Sequence, residues 1–419
     1  MEASLIIDAT YGGRGRDRGW FACARALCFA ALAAFAFGAA APASAVTFKS
    51  LYSFAGGADG DGPSGQLALG KDGLLYGTTV AGGAGGGGTV FRLDPATGLL
   101  TTLYAFPIFG PPGTTPAAGV AIDGKGLVYG TTEAGGNTSD CSGRGCGTVF
   151  RLDPSTGKLK TLVAFTGGTD GGVPAGALLL YGGLVYGTTQ DGGFSEGGNP
   201  GYGTIFKLDA KTKALTTLHA FNQPGANDGA LPESSLTVGP DALLYGSASE
   251  AGPHGSGTLF AIDPVSAAFS VLHGFDYHVD GSGPDCRLMF LKGQIIGTTP
   301  AGGPTQAADG TVFSLDPNSG VLTTLYSIAG TQDGLFPLGG VVRGPHGLVY
   351  GVARQGGGSG AGTVFAVNPK TGKFTLLHDF DINDGSQPSG ELLLDGKSVL
   401  YGVTSGGGRG HGTVYEIIP

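Results

Sequence analysis

Six aspartates recur at similar places along the chain, and each begins an Asp-Gly-x-x-Pro segment. Carboxylates that a fold gathers at one end of a molecule can bind a hard cation such as Ca²⁺, which prefers oxygen ligands. Asp-Gly is also a turn signal in which the carboxylate bonds its own loop. We favour the turn, because only Asp61 adds a second carboxylate beside the first; Ca²⁺ is the one cofactor suggested. The recurring residues are Asp59, Asp170, Asp228, Asp280, Asp333 and Asp384.

Three histidines are the next candidates for metal or proton chemistry. They share one position of a repeated segment, where other copies have tyrosine, so this position accepts a planar ring with a polar edge. Their spacing does not match a zinc site. We therefore expect half-exposed strand positions rather than ligands. The histidines are His219, His273 and His378, and the matching tyrosines are Tyr52, Tyr104 and Tyr326.

Cysteine and serine chemistry is less promising. Cys141 and Cys146 lie in one loop, and in an oxidising compartment they are expected to form a local disulfide. Cys286 is left over, and we interpret it as a buried free thiol. No Gly-x-Ser-x-Gly segment links a strand to a helix, so no nucleophile and no catalytic residue is predicted.

Seven copies of one unit must position these residues. Leu75-Tyr76-Gly77, Gly88-Thr89-Val90-Phe91 and a segment ending at Phe106 each recur in every unit, with few changes. Their three aromatic anchors give 21 positions, and 19 of them hold Phe or Tyr. Aromatic residues repeated in register pack one unit against the next, so these positions are predicted to form the core rather than a ligand platform.

Each unit contains four short β-like runs separated by turn signals, with a period of about 53 residues, which is typical of propeller blades. The last unit lacks its fourth run, and an orphan copy of that run lies at residues 48–54. Pairing the two would remove exposed sheet edges. We therefore predict an all-β, seven-bladed β-propeller of four-stranded blades over residues 46–419, a single domain closed by strand 48–54.

Composition narrows the range of partners. The 84 glycines would suggest disorder, but 41% of residues are hydrophobic and only 13% are charged, so a folded chain is expected. Glycine therefore marks the turns between strands. The formal net charge of −9 argues against nucleic acid and anionic membrane surfaces as partners. The protein is expected to be a monomer.

The first 45 residues have the pattern of a secretory signal peptide. Arg14, Arg16, Arg18 and Arg25 precede an apolar run over residues 26–37, and small residues follow at Ala43-Ser44-Ala45. The apolar run is about 12 residues, whereas a membrane-spanning helix needs roughly 20. We predict cleavage after Ala45, a secreted, periplasmic or cell-surface protein, and no transmembrane segment in the mature chain.

The long, variable loops indicate where a ligand would bind, because function usually lies on such loops over a rigid scaffold. In a propeller with this strand order, the second-to-third loops and the blade-to-blade loops share one face. We predict binding residues on that face from the two largest loops and from basic residues across the ring. They are Asp140, Arg144, Asp191, Phe194, Glu196, Tyr202, Arg354, Arg409 and His411.

The repeat resembles a known family. Its Asp-Gly-x-x-Pro, Leu-Tyr-Gly-Thr-Thr, Gly-Thr-Val-Phe and Asp-Pro-x-Thr-Gly segments resemble the GloVer (Gloeo/Verruco) tandem repeat of exported bacterial proteins, along nearly the whole mature chain. The resemblance implies export but no reaction. We expect a non-catalytic protein that binds a protein or glycan at the cell surface or in the periplasm. Two alternatives are an enzyme acting on carbohydrate or small molecules at the central mouth, and a structural surface component.

Overall fold

The computed structural model describes residues 46–137, 141–193, 201–221, 227–305 and 309–419, so the predicted signal peptide lies outside the described residues. Seven sheets follow one another along the chain. Each is built from four antiparallel strands, which are consecutive in the chain except in the last sheet, where three strands join the first strand of the chain; one sheet also carries a fifth, parallel strand. The predicted all-β, seven-bladed propeller is confirmed.

The strands of the first four blades follow the four predicted runs of each unit. Blade 1 contains β2 (Asp61–Leu69), β3 (Leu75–Ala81), β4 (Gly86–Leu93) and β5 (Leu100–Pro107). Blade 2 contains β6 (Ala121–Ile122), β7 (Val128–Thr132), β8 (Thr148–Asp153) and β9 (Lys158–Ala164). Blade 3 contains β10 (Leu179–Tyr181), β11 (Leu184–Thr189), β12 (Thr204–Leu208) and β13 (Leu215–Ala220). Blade 4 contains β14 (Thr237–Val238), β15 (Leu244–Ala248), β16 (Thr258–Ile262) and β17 (Phe269–Gly274).

The remaining blades vary this plan slightly. The unit of blade 5 begins with the short β18 (Cys286–Arg287), and its own sheet contains β19 (Met289–Leu291), β20 (Gln294–Thr299), β21 (Thr311–Leu315) and β22 (Leu322–Ser327). Blade 6 contains β23 (Leu335–Arg343), β24 (Val349–Gln355), β25 (Thr363–Val367) and β26 (Phe374–Asp379). Blade 7 contains β27 (Ser386–Leu394), β28 (Leu400–Gly406), β29 (Thr413–Ile418) and β1 (Thr47–Ser53). The described helical turns are both of the 3₁₀ type, Cys141–Gly143 and Pro345–Gly347.

The ring closes through the two ends of the chain. Strand β1 pairs antiparallel with β29, with Thr47 opposite Ile418 and Ser53 opposite Thr413. The orphan run is therefore the outermost strand of blade 7, as predicted. Phe54, which follows β1, is fully buried and lies 5.4 Å from Phe91 of blade 1, measured between ring centroids. This contact ties the closing strand to the next blade.

The repeated aromatic positions form the core, as predicted. Phe91, Phe150 and Phe206 have no exposed surface, and Tyr76 is 4% exposed. The glycine of Leu-Tyr-Gly belongs to this packing: a Cβ at Gly77 would lie 2.6 Å from Cζ of Phe91. This glycine does not mark a turn. It lies inside β3 because the phenylalanine of the neighbouring strand packs directly against its backbone.

A buried hydroxyl pair joins the middle strands of most blades. Thr79 Oγ1 and Thr89 Oγ1 are 2.9 Å apart, and the Thr89 amide donates to Thr79 Oγ1 at 3.1 Å. The same pair recurs between Thr132 and Thr148 at 2.9 Å. Because each hydroxyl has a partner, these buried threonines satisfy each other's hydrogen bonds without a ligand. The second threonine of Gly-Thr-Thr and the threonine of Gly-Thr-Val-Phe are therefore structural.

The first strands of neighbouring blades line a central channel. They lie side by side, and the second strands add links between blades: Thr78 of β3 in blade 1 donates to the carbonyl of Ala118, just before β6 of blade 2, at 2.8 Å. Blade 5 departs from the pattern, because its short β18 pairs in parallel with β23 of blade 6, opposite Gly339 and Gly340. This pairing joins two blades and places Arg287 in the channel.

Candidate functional site

The recurring aspartates bond to their own loops. Asp59 accepts hydrogen bonds from the Ala55 amide at 2.8 Å and from the Tyr52 hydroxyl at 3.0 Å. Asp280 accepts from the Asp276 amide at 2.8 Å, and its Oδ2 lies 2.6 Å from Nε2 of His273. The carboxylate thus holds the loop that leads into the next blade, in keeping with the turn interpretation.

The tyrosine-or-histidine position is the second partner of these aspartates. His219 lies 3.2 Å from Asp228, His378 lies 3.0 Å from Asp384, and the Tyr326 hydroxyl lies 2.5 Å from Asp333. Tyrosine and histidine interchange because either ring donates a hydrogen bond to the same carboxylate. Burial lowers the pKa of His378, while the neighbouring Asp384 opposes that change.

Two units lack one member of this pair of an aromatic ring and an aspartate. In blade 2 the ring position holds Val163, and Asp170 instead accepts from the Thr166 hydroxyl at 2.5 Å and from the Thr166 amide at 3.0 Å. Before it, the loop that follows Tyr104 has Pro112-Gly113 in place of Asp-Gly. Burial raises the pKa of Tyr104.

The Ca²⁺ assignment remains a prediction. Within the described ranges, no group of three or more His, Cys, Asp or Glu side chains is arranged to hold a metal ion. The two neighbouring acids Asp59 and Asp61 also have different partners. Asp61 Oδ1 lies 3.0 Å from Nδ1 of His411, whereas Asp59 binds Tyr52 and Ala55.

A cavity of about 530 Å³ opens at the centre of the ring, and all seven blades contribute to its lining. We call it the central mouth. It lies where the first strands begin, beside the ends of the second strands, on the face of the second-to-third loops. Its floor and walls carry small residues and a set of charged and amide side chains. The charged and amide residues are Gln66, Glu133, Gln190, Glu233, Asp285, Arg287, Arg354 and Glu391.

Arg287 crosses the floor of the central mouth. Its Nη1 donates to Gln66 Oε1 of blade 1 at 3.1 Å and to Glu391 Oε2 of blade 7 at 3.3 Å. The Glu391 side chain is 9% exposed, whereas that of Arg287 is 37% exposed. Burial raises the pKa of Glu391 to about 7, although the Arg287 guanidinium acts in the opposite direction. The arginine is thus held on one edge and open to the mouth on the other.

The opposite wall of the mouth is acidic. Burial raises the pKa of Glu233 to about 7, and repulsion from Asp285, Glu250, Glu133 and Asp191 raises it further. Burial also raises the pKa of Asp285 to about 6 and that of Glu133 above its ordinary value. Several carboxyl groups therefore face one another across a small space, and part of them hold a proton near neutral pH.

Below Arg287 the channel changes character. A second cavity of about 340 Å³ continues along the first strands and shares Gln66 and Arg287 with the mouth. Its other lining residues are mostly apolar, including Leu67, Leu178 and Leu236. The Arg287 crosslink thus separates a polar mouth from an apolar channel.

The predicted loop residues are placed in several locations. Arg354 lines the central mouth, and Asp191 is near enough to raise the pKa of Glu233. Tyr202 packs against the core between blades 3 and 4, and the backbone amide of Arg409 donates to Ser53 Oγ at 2.8 Å on the outer side of blade 7. Arg144 is exposed in the disulfide loop. Asp140, Phe194 and Glu196 lie outside the described residues, and His411 pairs with Asp61.

The cysteines lie as follows. Cys141 and Cys146 are joined by a disulfide with a Cα to Cα distance of 5.3 Å. Cys286 is free and buried, and burial raises the pKa of its thiol to about 12. A thiol that stays protonated to such a pH is a weak nucleophile, so it contributes packing rather than reactivity.

Sequence reasoning missed Glu233, Asp285, Arg287 and Glu391, although a signal was present. The first and third residues after the repeat proline differ from unit to unit, while the proline and the following Leu or Val recur. The first residues after it are Ser64, Ala117, Ala175, Glu233, Asp285, Leu338 and Ser389. Positions that vary within an otherwise repeated strand are the ones that line the mouth.

Fold and site together define a seven-bladed repeat propeller with a charged central mouth. The chain belongs to the Gloeobacter/Verrucomicrobia repeat family, whose model matches residues 37–199 and 192–415. This match confirms the family resemblance of the repeat motifs. No curated protein matches the chain in sequence. Among the described residues, no helix is long and apolar enough to cross a membrane.

Solved structures share the fold at low sequence identity. The extracellular domain of a protein described as a one-component system from B. thetaiotaomicron matches with a TM-score of 0.53 and 10% identity, over 88% of this chain but only 40% of that one. An oligogalacturonate lyase in complex with manganese matches with a TM-score of 0.56 and 14% identity, over 90% of this chain and 97% of the other. An oligogalacturonate lyase from Vibrio parahaemolyticus matches with a TM-score of 0.52 and 11% identity, over 89% and 97%. At such identities the likeness concerns the fold alone.

Proposed function

We propose that this protein is an exported, non-catalytic binding protein that holds a projecting polar part of a protein or glycan partner in its central mouth. One observation carries the proposal. The repeated aromatic anchors pack in the core and the repeated Asp-Gly aspartates bond within the chain around them, whereas the charged residues of the mouth are not repeated and face a shared cavity. A scaffold that varies only where it lines a cavity has the organisation of a binding site.

The size and the lining of the mouth support a small polar ligand. Its volume of about 530 Å³ falls within the range usual for small-molecule sites. Arg287 is held in place by Gln66 and Glu391, and Gln190 donates to Glu233, so these groups are oriented before a ligand arrives. Preorganised polar groups lower the entropic cost of binding.

Export is supported by the N-terminal sequence and by the cysteine pair. The basic residues, apolar run and small residues of positions 1–45 match a secretory signal. A disulfide between Cys141 and Cys146 suits the periplasm or the cell surface, where disulfides persist. N-terminal sequencing of protein recovered from the periplasm or the medium tests this point, and an uncleaved cytosolic protein would contradict it.

Binding at the mouth is tested with a pair of matched substitutions. Ala117→Trp places a large ring in the mouth, and Ala96→Trp places the same ring on an exposed turn at the opposite face. The exported protein and both variants are applied to glycan and peptide arrays, with the purified protein also analysed by native mass spectrometry for copurifying ligands. We expect signals that Ala117→Trp removes and Ala96→Trp leaves unchanged.

Two results would contradict the proposal. Array binding that both variants retain would place the ligand elsewhere, and turnover of a substrate by the purified protein would show that it is an enzyme. An enzyme at the mouth is favoured by one observation, the Glu233 pKa of about 7, which suits proton transfer near neutral pH. A screen of glycosides, uronides and lactones with wild type and Glu233→Gln separates the two functions.

A further inference from the structure

The charges of the central mouth are segregated. The carboxyl groups without a basic partner, Glu133, Glu233 and Asp285, come from blades 2, 4 and 5. The remaining carboxyl group of the lining, Glu391 of blade 7, is paired with Arg287. The basic groups lie toward blades 6, 7 and 1: Arg354 comes from blade 6, and Arg287, two residues after Asp285, carries its guanidinium across to Glu391 of blade 7 and Gln66 of blade 1. A cavity of this size therefore has an acidic wall and a basic wall.

The acidic wall has no positive partner within the described part of the chain. No ion pair joins Glu133, Glu233 or Asp285 to a base there, and the Glu233 carboxylate accepts its hydrogen bond from the neutral amide of Gln190. Carboxylates crowded without a counter-charge repel one another. A cationic group placed among them would relieve that repulsion and gain charge-assisted hydrogen bonds.

The basic wall is equally incomplete. Both hydrogen bonds of Arg287 start from Nη1, so the rest of its fork of N–H donors remains for another acceptor. Arg354 is exposed at the mouth, and none of the ion pairs of the described residues includes it. Two guanidinium groups at one wall suit a planar anionic group such as a carboxylate.

We propose that the central mouth binds a small zwitterion, with its ammonium group among Glu133, Glu233 and Asp285 and its carboxylate against Arg354 and the open edge of Arg287. The class includes free amino acids and short peptides. This inference rests on the proposed function in one respect, that the mouth is the ligand site. A diamine or a dicarboxylate would satisfy only one wall, and a neutral diol would satisfy neither.

The test uses matched compounds on one carbon chain. Aminohexanoate, hexanediamine, hexanedioate and hexanediol differ only in their end groups, and butyl and octyl series cover other spans. Binding to the exported protein is measured by calorimetry at low salt. We expect the aminoalkanoate of at least one length to bind about tenfold or more tightly than the diamine, dicarboxylate and diol of that length.

Two variants assign the walls. Glu233→Gln is expected to weaken the aminoalkanoate and the diamine by about tenfold but not the dicarboxylate, and Arg354→Gln to weaken the aminoalkanoate and the dicarboxylate but not the diamine. The matched controls are Glu416→Gln on β29, the third strand of blade 7, and Arg343→Gln at the far end of β23, which lie outside the mouth. Neither control is expected to change any of the affinities.

The outcomes separate this inference from the proposed function. If no aminoalkanoate binds more tightly than its matched compounds, or if a control weakens it as much as a mouth variant, the zwitterion assignment is wrong. If the array signals are nevertheless lost in Ala117→Trp, the proposed function is still supported. If neither the series nor the arrays show binding at the mouth, both are wrong.

Discussion

The molecule contains two sets of carboxylates with opposite characters. The aspartates of the blade-to-blade loops recur in six units, and each has a hydrogen-bond partner in the strand or loop just before it, as Asp59 has in Tyr52 and Ala55. The carboxylates of the mouth, such as Glu233 and Asp285, occur once each and face a cavity. A repeated acid thus serves the scaffold, whereas an acid that breaks the repeat is available to a ligand.

The largest effect is expected for a repeated core residue. Phe54→Ala should lower the free energy of unfolding by about 3–5 kcal/mol, because it removes a buried ring that joins the closing strand to Phe91. Val265→Ala is the control; its side chain is 87% exposed, and a change within about 0.5 kcal/mol is expected. Chemical denaturation measures both. A Phe54→Ala cost below about 1 kcal/mol would contradict the assigned role of strand β1 in ring closure.

The next prediction compares the two sets of acids directly. Asp280→Asn should cost about 1–3 kcal/mol, because the Asp276 amide and the His273 ring lose a charged acceptor. Glu233→Gln, the same chemical change in the mouth, should leave stability equal or higher, because it removes a charge from a repulsive group. Denaturation at neutral pH measures the difference. Equal losses for the two variants would mean that the two sets do not differ in role.

Most of the fold could be predicted from sequence, because every blade of the propeller uses the same packing and turn residues. The aromatic anchors, the Asp-Gly turns and the orphan run at residues 48–54 each align with copies in other units. A single assignment of strands and turns therefore has to account for all seven units. The role of glycine was predicted only in part, because the sequence pattern indicated turns alone. Gly77 lies in a strand to admit the Phe91 ring, a close contact that local sequence does not show.

The site could be predicted only in part, because the features that the copies share determine the fold, whereas the residues that line the mouth differ from copy to copy. Arg354, predicted as a basic residue across the ring from the two largest loops, lines the mouth near the end of β24. Arg287 and Gln66 are 221 residues apart and meet only when the ring closes. The residues that differ after each repeat proline indicate the rest of the site, since those positions face the channel and contribute little to the packing between blades.

The pH dependence of stability should also distinguish the two sets. The folded protein holds a proton on Glu233 up to about pH 7, whereas an unfolded glutamate releases it near pH 4.3. This carboxyl therefore contributes stability that is present below the unfolded pKa and lost as the pH rises to about 7. Glu233→Gln should gain on wild type by about 1 kcal/mol between pH 5 and 8, with the value reduced by solvent screening.

A second variant checks the assignment of that slope. Burial raises the pKa of Asp285 only to about 6, so the gain of Asp285→Asn over wild type should level off at a lower pH than the gain of Glu233→Gln. Thermal or chemical denaturation across this pH range measures both. Differences that stay flat with pH for both variants would show that the mouth carboxyls are not crowded as described.

The smallest effect uses an irregularity of the repeat as its own control. Tyr52→Phe should cost about 0.5–1 kcal/mol, because the hydroxyl bond to Asp59 at 3.0 Å is lost while the carboxylate keeps the Ala55 amide. Tyr104→Phe is the same change at the same position of the next unit, where Pro112-Gly113 replaces Asp-Gly. It should cost close to nothing, since the loop provides no carboxylate to accept the bond. A similar cost for both variants, measured by denaturation, would show that the ring position is kept for packing and that the aspartate holds its loop through backbone amides alone.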